Sequence, residues 1–147
     1  MQFPTFFKVC AAGILLSVSS LVNAGTAATD PVKVVYHVNQ GLEQASDALR
    51  NVRNHLDVDP TAKIAVVTHA GGIDFLLDGA KDKNGNPYDI IVQDLAKKGV
   101  VFDVCNITLE RRKIDRKRVL EDAKIVPSGV AEVSRLQAKE GYVYLKP

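Results

Sequence analysis

The sequence predicts an α/β protein, a three-layer α/β/α sandwich around a mainly parallel sheet of about five strands. Two observations carry this prediction. Short β-branched runs alternate with stretches of helical period from Val32 onward, and that alternation builds parallel βαβ units. The strand candidates are apolar over consecutive residues, not only at every second one. A strand of that kind needs helices on both sheet faces.

The segment before the first strand has its own logic. "MQFPTFFKVCAAGILLSVSSLVNAGTAATD" carries one cation, Lys8, and no acid before Asp30. An apolar stretch from Val9 to Val22 follows, closing on Val22-Asn23-Ala24. A basic start, an apolar middle and a small-residue end are the parts of a secretory signal peptide. The apolar part is short for a membrane span, and no stop-transfer pattern follows it. Residues 1–24 are therefore expected to be cleaved, leaving one domain, residues 25–147. It would be periplasmic or secreted, with no membrane association.

The elements then follow in order. "VKVVYHV" (Val32 to Val38) is the first strand. "GLEQASDALRNVRNHL" is an amphipathic helix, with Leu42, Ala45, Leu49, Val52 and Leu56 on its apolar face. "KIAVVTH" (Lys63 to His69) is the second strand. Ala70-Gly71-Gly72 is a tight turn, and Ile73 to Leu77 a short helix. "KDKNGNPYD" is a polar loop turning at Asn84-Gly85. Ile90 to Lys98 is a helix stopped by Gly99, and "VVFDV" is the third strand. Arg111 to Ala123 is charged and partly helical. "KIVP" is a fourth strand. Ser128 caps a helix that runs to about Glu140 and stops at Gly141. "YVYL" is the last strand.

Charge and composition exclude several functions. The net charge is +2 in 147 residues, and losing Lys8 lowers it to +1. So balanced a chain offers no general attraction to nucleic acid or an anionic membrane. Trp is absent, which argues against a carbohydrate-stacking platform. Of the two cysteines, Cys10 and Cys105, the first falls in the leader. The expected mature chain cannot form an internal disulfide. Its single thiol is buried and inert, paired between chains, or reactive.

In parallel sheets, sites lie beyond the carboxyl ends of the strands. Asn39 after the first strand, His69, Gly71 and Gly72 after the second, and Cys105 and Asn106 after the third would share one edge. A turn or helix beginning near Thr108 and, beyond it, the cations Arg111, Arg112 and Lys113 would lower the pKa of the thiol by favouring its anion. The bland alternative is a cysteine packed as a small hydrophobe. His69 could orient a substrate, alter the thiol's protonation, or donate to a backbone carbonyl as a structural residue. His37 lies inside a strand and His55 near a helix end, and both read as structural. Cys105, His69 and His37 lack any C-x-x-C or H-x-x-x-H pair, so no metal is expected. Gly71-Gly72 offers backbone N–H groups to an anion or simply makes a turn, and no nucleotide motif is present. The Asp82-Asn84-Asn86 run has Pro87 and Gln93 where a calcium loop needs glycine and glutamate. The pair Ser128-Gly129 lacks a serine-hydrolase setting. The run Leu109 to Arg118 is a solvated face or a positive rim around the thiol.

The order of elements, the glycine loop after the second strand, "VVFDVCN" and "IVPSGVAEVSRLQAKEGYVYLKP" resemble the DsrE/DsrF-like family. The resemblance spans almost all of the expected mature chain. It implies a three-layer fold with a parallel sheet, and homo-oligomers, trimeric or hexameric. It also implies that Cys105 matches the cysteine that carries sulfur as a persulfide in sulfur-relay members, working without metal or organic cofactor. Partners would be a sulfur donor or acceptor protein, or a small sulfur species. The residues leave carrier and enzyme both open. The rival expectation is a non-enzymatic ligand-binding or assembly module with a structural cysteine.

Overall fold

The computed structural model describes Met1, Gln2 and residues 30–147, so the expected leader lies almost wholly outside the described residues. Five strands form one sheet in the order β4-β3-β2-β1-β5, every pairing parallel. They are β1 (Lys33–Val38), β2 (Lys63–Thr68), β3 (Val101–Cys105), β4 (Ala123–Val126) and β5 (Val143–Leu145). The helices are α1 (Leu42–Val58), α2 (Tyr88–Lys97), α3 (Asn106–Arg112) and α4 (Gly129–Glu140), with 3-10 turns at Ala70–Leu76 and Arg116–Arg118.

The alternation of side chains along each strand divides the core in two. Val34, Tyr36, Val38, Ile64, Val66, Phe102 and Val104 face α1, α2, the first 3-10 turn and Leu109 of α3. Val35, Ala65 and Val67 face Val133 and Leu136 of α4. This is the three-layer sandwich the sequence predicts. Its second layer is thin, because the β4–β5 crossover supplies the only helix on that face among the described residues.

Several boundaries differ from the expectations. Leu42 is 37% exposed, and Gln44 and Ala48 are buried in its place on α1. Leu42 starts the helix, and its carbonyl accepts from the Tyr88 hydroxyl at 2.9 Å. The helix after β2 is a 3-10 turn that begins at Ala70, before Gly71. The third helix starts directly after Cys105, two residues ahead of the turn or helix expected near Thr108, and its last residue is Arg112, in the charged stretch expected to be partly helical. It is held there by buried Leu109 and an Asn106-to-Glu110 hydrogen bond of 2.6 Å. It stops at Lys113, in the left-handed region at φ 53°. Around α4 the reading holds: the Ser128 side chain accepts from the Ala131 N–H, and Gly141 ends the helix at φ 75°.

Candidate functional site

Because all the strands are parallel, the carboxyl ends of β1, β2 and β3 lie along one edge. Cys105 and Asp103 share the face of β3 that α4 covers, since their even-numbered neighbours Phe102 and Val104 belong to the opposite core. The thiol is 4% exposed. Burial is the largest influence on it and pushes its pKa up. The Gly129 N–H, the Thr108 hydroxyl and the N–H groups of Thr108 and Ile107 act against burial and hold the thiol below its ordinary value. Thr108 is fixed for this task, because its Oγ1 accepts from the Ala70 N–H at 3.0 Å and its proton remains to donate. Ala70 sits at φ 50°, a position that non-glycine residues rarely adopt.

The backbone does what the sequence reading assigned in part to cations. Arg112 is committed elsewhere, donating to Asp74 Oδ1 at 2.6 Å and to the Ala70 carbonyl at 3.2 Å. This pair ties α3 to the turn after β2. Arg111 lines a cleft of about 530 Å³ together with His69, Gly71, Ile107, Thr108 and Arg112. The cleft thus brings together four of the predicted residues, and two of those that hold the sulfur form part of its wall. Asn39 and Asn106 do not line it. Asn39 accepts from the Lys146 ammonium at 2.8 Å. Asn106 is held between Glu110 and Arg116. Gly72 gives its N–H to the His69 carbonyl at 2.9 Å.

His69 stacks on His37, ring centroids 4.9 Å apart, and His37 Nδ1 meets the Tyr144 hydroxyl at 2.8 Å. Burial, then His69 and Lys146, depress His37 to about 4. Burial and Lys146 also lower His69. Both rings are neutral at neutral pH, so His69 presents the cleft with an uncharged imidazole able to accept a proton. Among the described residues, no group of three or more His, Cys, Asp or Glu side chains is placed to hold a metal ion.

A model of the DsrE/DsrF-like family matches residues 22–147. The chain belongs to this family. A solved structure from Methanobacterium thermoautotrophicum, the protein MTH1491 of unknown function, is 30% identical with a TM-score of 0.70. The alignment covers 79% of this chain and 99% of that one. The ychN protein of E. coli is 14% identical with a TM-score of 0.67, over the same 79% and 99%, and shares the fold. Among curated proteins the sequence finds no match. The DsrE-like chain thus has a sulfur-relay-type fold.

Sequence reasoning places a turn near Thr108 beside the thiol without using its hydroxyl, and gives Gly129 and Asp103 no part in the site. Thr108 carried a signal, a hydroxyl three residues after the cysteine, where a first helical turn brings it back towards the strand end. Asp103 carried one too, as the one acid in "VVFDV". Gly129 did not, because its approach to the thiol depends on a crossover from β4.

Proposed function

We propose that this protein binds and relays sulfane sulfur as a persulfide on Cys105, working in the periplasm after its leader is removed. The observation that carries the reading is the set of N–H and O–H donors around a thiol at the carboxyl edge of the sheet. The Cys105 thiolate would attack the outer sulfur of a donor persulfide. The donor's S–S bond breaks, its inner sulfur leaves with the electron pair as a thiolate, and Cys105 keeps the outer sulfur. Delivery reverses the step on an acceptor thiolate. Nothing is oxidised overall, so neither metal nor organic cofactor is needed. Arg111 in the cleft wall would draw anionic sulfur species, and the neutral His69 would take the proton from an arriving persulfide.

One observation favours the rival reading of a binding or assembly module, the 4% exposure of Cys105. Intact mass spectrometry separates the two. Exported native protein should have the mass of a chain beginning at Gly25. It should gain one sulfur atom from polysulfide and lose it to reductant, and Cys105→Ser should gain none. A native protein that takes up no sulfur, and is alkylated only in denaturant, would make the cysteine a core residue. A mass that still includes Met1 would overturn the export reading.

Assembly into a trimer or hexamer belongs to the same proposal. A parallel sheet normally has both faces covered. Among the described residues one helix lies on the second face, and Val143, Tyr144 and Leu145 of edge strand β5 are 57%, 38% and 40% exposed. Light scattering should report a closed oligomer of three or six chains. A monomer at micromolar concentration would contradict this.

A further inference from the structure

Asp103 has no part in the chemistry described above, yet it is 2% exposed and its Oδ1 lacks any hydrogen-bond partner among the described residues. An orphaned buried carboxyl oxygen costs stability, and retained costs of this kind concentrate at functional sites. Its surroundings are specific. On β2 its neighbour in register is the apolar Val67, and on β4 it is Lys124. From α4 it faces Glu132 and Arg135, and Tyr142 follows just beyond that helix. Arg135 cannot serve Asp103 fully. It is forked onto both oxygens of Glu132, at 2.9 and 2.5 Å, and also holds Glu140.

Helix α4 runs antiparallel to β3, as a parallel crossover requires. Its inward residues Gly129, Glu132, Val133 and Leu136 fall at helical spacing. Gly129 lies over the thiol and Glu132, one turn later, over the carboxyl. The first turn is seated tightly, since a Cβ on Gly129 would come 2.5 Å from the Thr68 carbonyl oxygen. One helix therefore covers both the sulfur and an acid that tolerates that cover only while neutral. Once ionised, Asp103 and Glu132 would be two carboxylates under one helix, answered by Lys124 of the edge strand and by an Arg135 already engaged with Glu132 and Glu140.

We propose that Asp103 is a positioning residue for the thiol: loss of its proton unseats the first turns of α4 and uncovers Cys105. The sulfur then loses the Gly129 N–H but keeps the α3 donors Ile107 and Thr108, so it becomes accessible while still favoured as thiolate. Burial holds Asp103 up at about 6, with Glu132 raising it and Lys124 and Arg135 lowering it. The cover would thus open towards neutral pH. This deepens the relay reading, on which its purpose rests, because a sulfur carrier with a sealed thiol needs an opening step.

The test is the rate of iodoacetamide alkylation of the native protein, divided at each pH by the thiolate fraction read from ultraviolet absorbance. For wild type the normalised rate should rise by roughly tenfold as Asp103 ionises, a usual size for coupling between two sites. In Asp103→Asn it should stay flat and low. Glu132→Gln should move the midpoint of the rise to lower pH, because one like charge is gone and Arg135 is released. It also serves as the test if Asp103→Asn does not fold. A flat wild-type profile, an unchanged rise in Asp103→Asn, or an unmoved midpoint in Glu132→Gln would overturn the proposal. Alkylation needs no sulfur, so the relay can fail separately. An Asp103-dependent rise without polysulfide uptake would sink the relay and leave the α4 cover standing.

Discussion

Replacing Gly72 by alanine is expected to cost roughly 3 kcal/mol or more, because the added methyl has nowhere to go. A Cβ there would lie 2.1 Å from the Val38 carbonyl oxygen, 2.4 Å from its carbon and 2.7 Å from the Asn39 nitrogen. All three atoms are backbone at the end of β1, pinned by pairing with β2, and no side chain can swing aside. Gly72 also donates to His69 O at 2.9 Å, and the His69 N–H donates to Val38 O at 3.2 Å. Separating the strands enough for a methyl would therefore open the β1–β2 edge just where His69 and the cleft are built. Gly85→Ala is the contrast. Its φ of 84° strains any side chain, but nothing lies within 4 Å of the new Cβ, so the expected cost is only about 1 kcal/mol. Thermal melts should separate the two, with Gly72→Ala lowering Tm by about 10 °C or more, or failing to accumulate. Equal melting points would mean that the β1–β2 edge yields to a methyl at little cost, since Gly72 has no positive φ that would itself demand glycine.

The same glycine shows what the sequence conveys and what it leaves out. "HAGG" is legible as a turn, because adjacent glycines end a strand. That Gly72 is also a contact between two strand ends depends on which strand lies beside β2. The strands were legible for a simple reason: a buried parallel strand has no polar face, and "KIAVVT" has none. α4 was legible because Ser128 and Gly141 mark its ends. The start of α3 is legible only in part: a turn or helix is expected near Thr108, two residues after the observed start, while the cations draw the expected helical stretch on to Arg111. That displacement carried over to the site. With a turn or helix expected from about Thr108, the arginines beyond it share the expected stabilisation of the thiolate. With the helix starting at Asn106, the N–H groups of Ile107 and Thr108 join the Gly129 N–H and the Thr108 hydroxyl as donors to the thiol. Arg112 then reaches back to Asp74. Side-chain identity survives translation into a fold better than side-chain distance, since one misplaced turn moves every group beyond it.

Asp103 gives the other large expected effect, a stability that falls as pH rises. Burial lifts its carboxyl to about 6, whereas in the unfolded chain it returns to the ordinary aspartate range. The native state thus holds the proton more tightly. Between about pH 4 and pH 6 the folded protein binds more protons than the unfolded one, and the linkage slope is negative. The stability tied to this group is fully present below the unfolded value and is lost as pH climbs through the folded value. A shift of about two pKa units corresponds to about 3 kcal/mol. Asp103→Asn holds the site permanently neutral. Near pH 4, where both side chains are uncharged, it should be about 1 kcal/mol less stable than the native protein, the cost of placing an amide in a carboxyl site. It should exceed the native protein near pH 7.5 by about 2 kcal/mol, the remainder being offset by an amide N–H that must find an acceptor among crowded neighbours. Glu132 works in the opposite direction. Its bond to Arg135, with burial opposing, holds its pKa down, so its contribution is present at neutral pH and lost on acidification. Urea titrations of both chains at several pH values would read the difference directly. A gap between Asp103→Asn and the native protein that stays constant from acid to neutral pH would mean that Asp103 does not change its charge in the folded state. The stability trend and the pH-dependent cover over Cys105 would then lose their common cause.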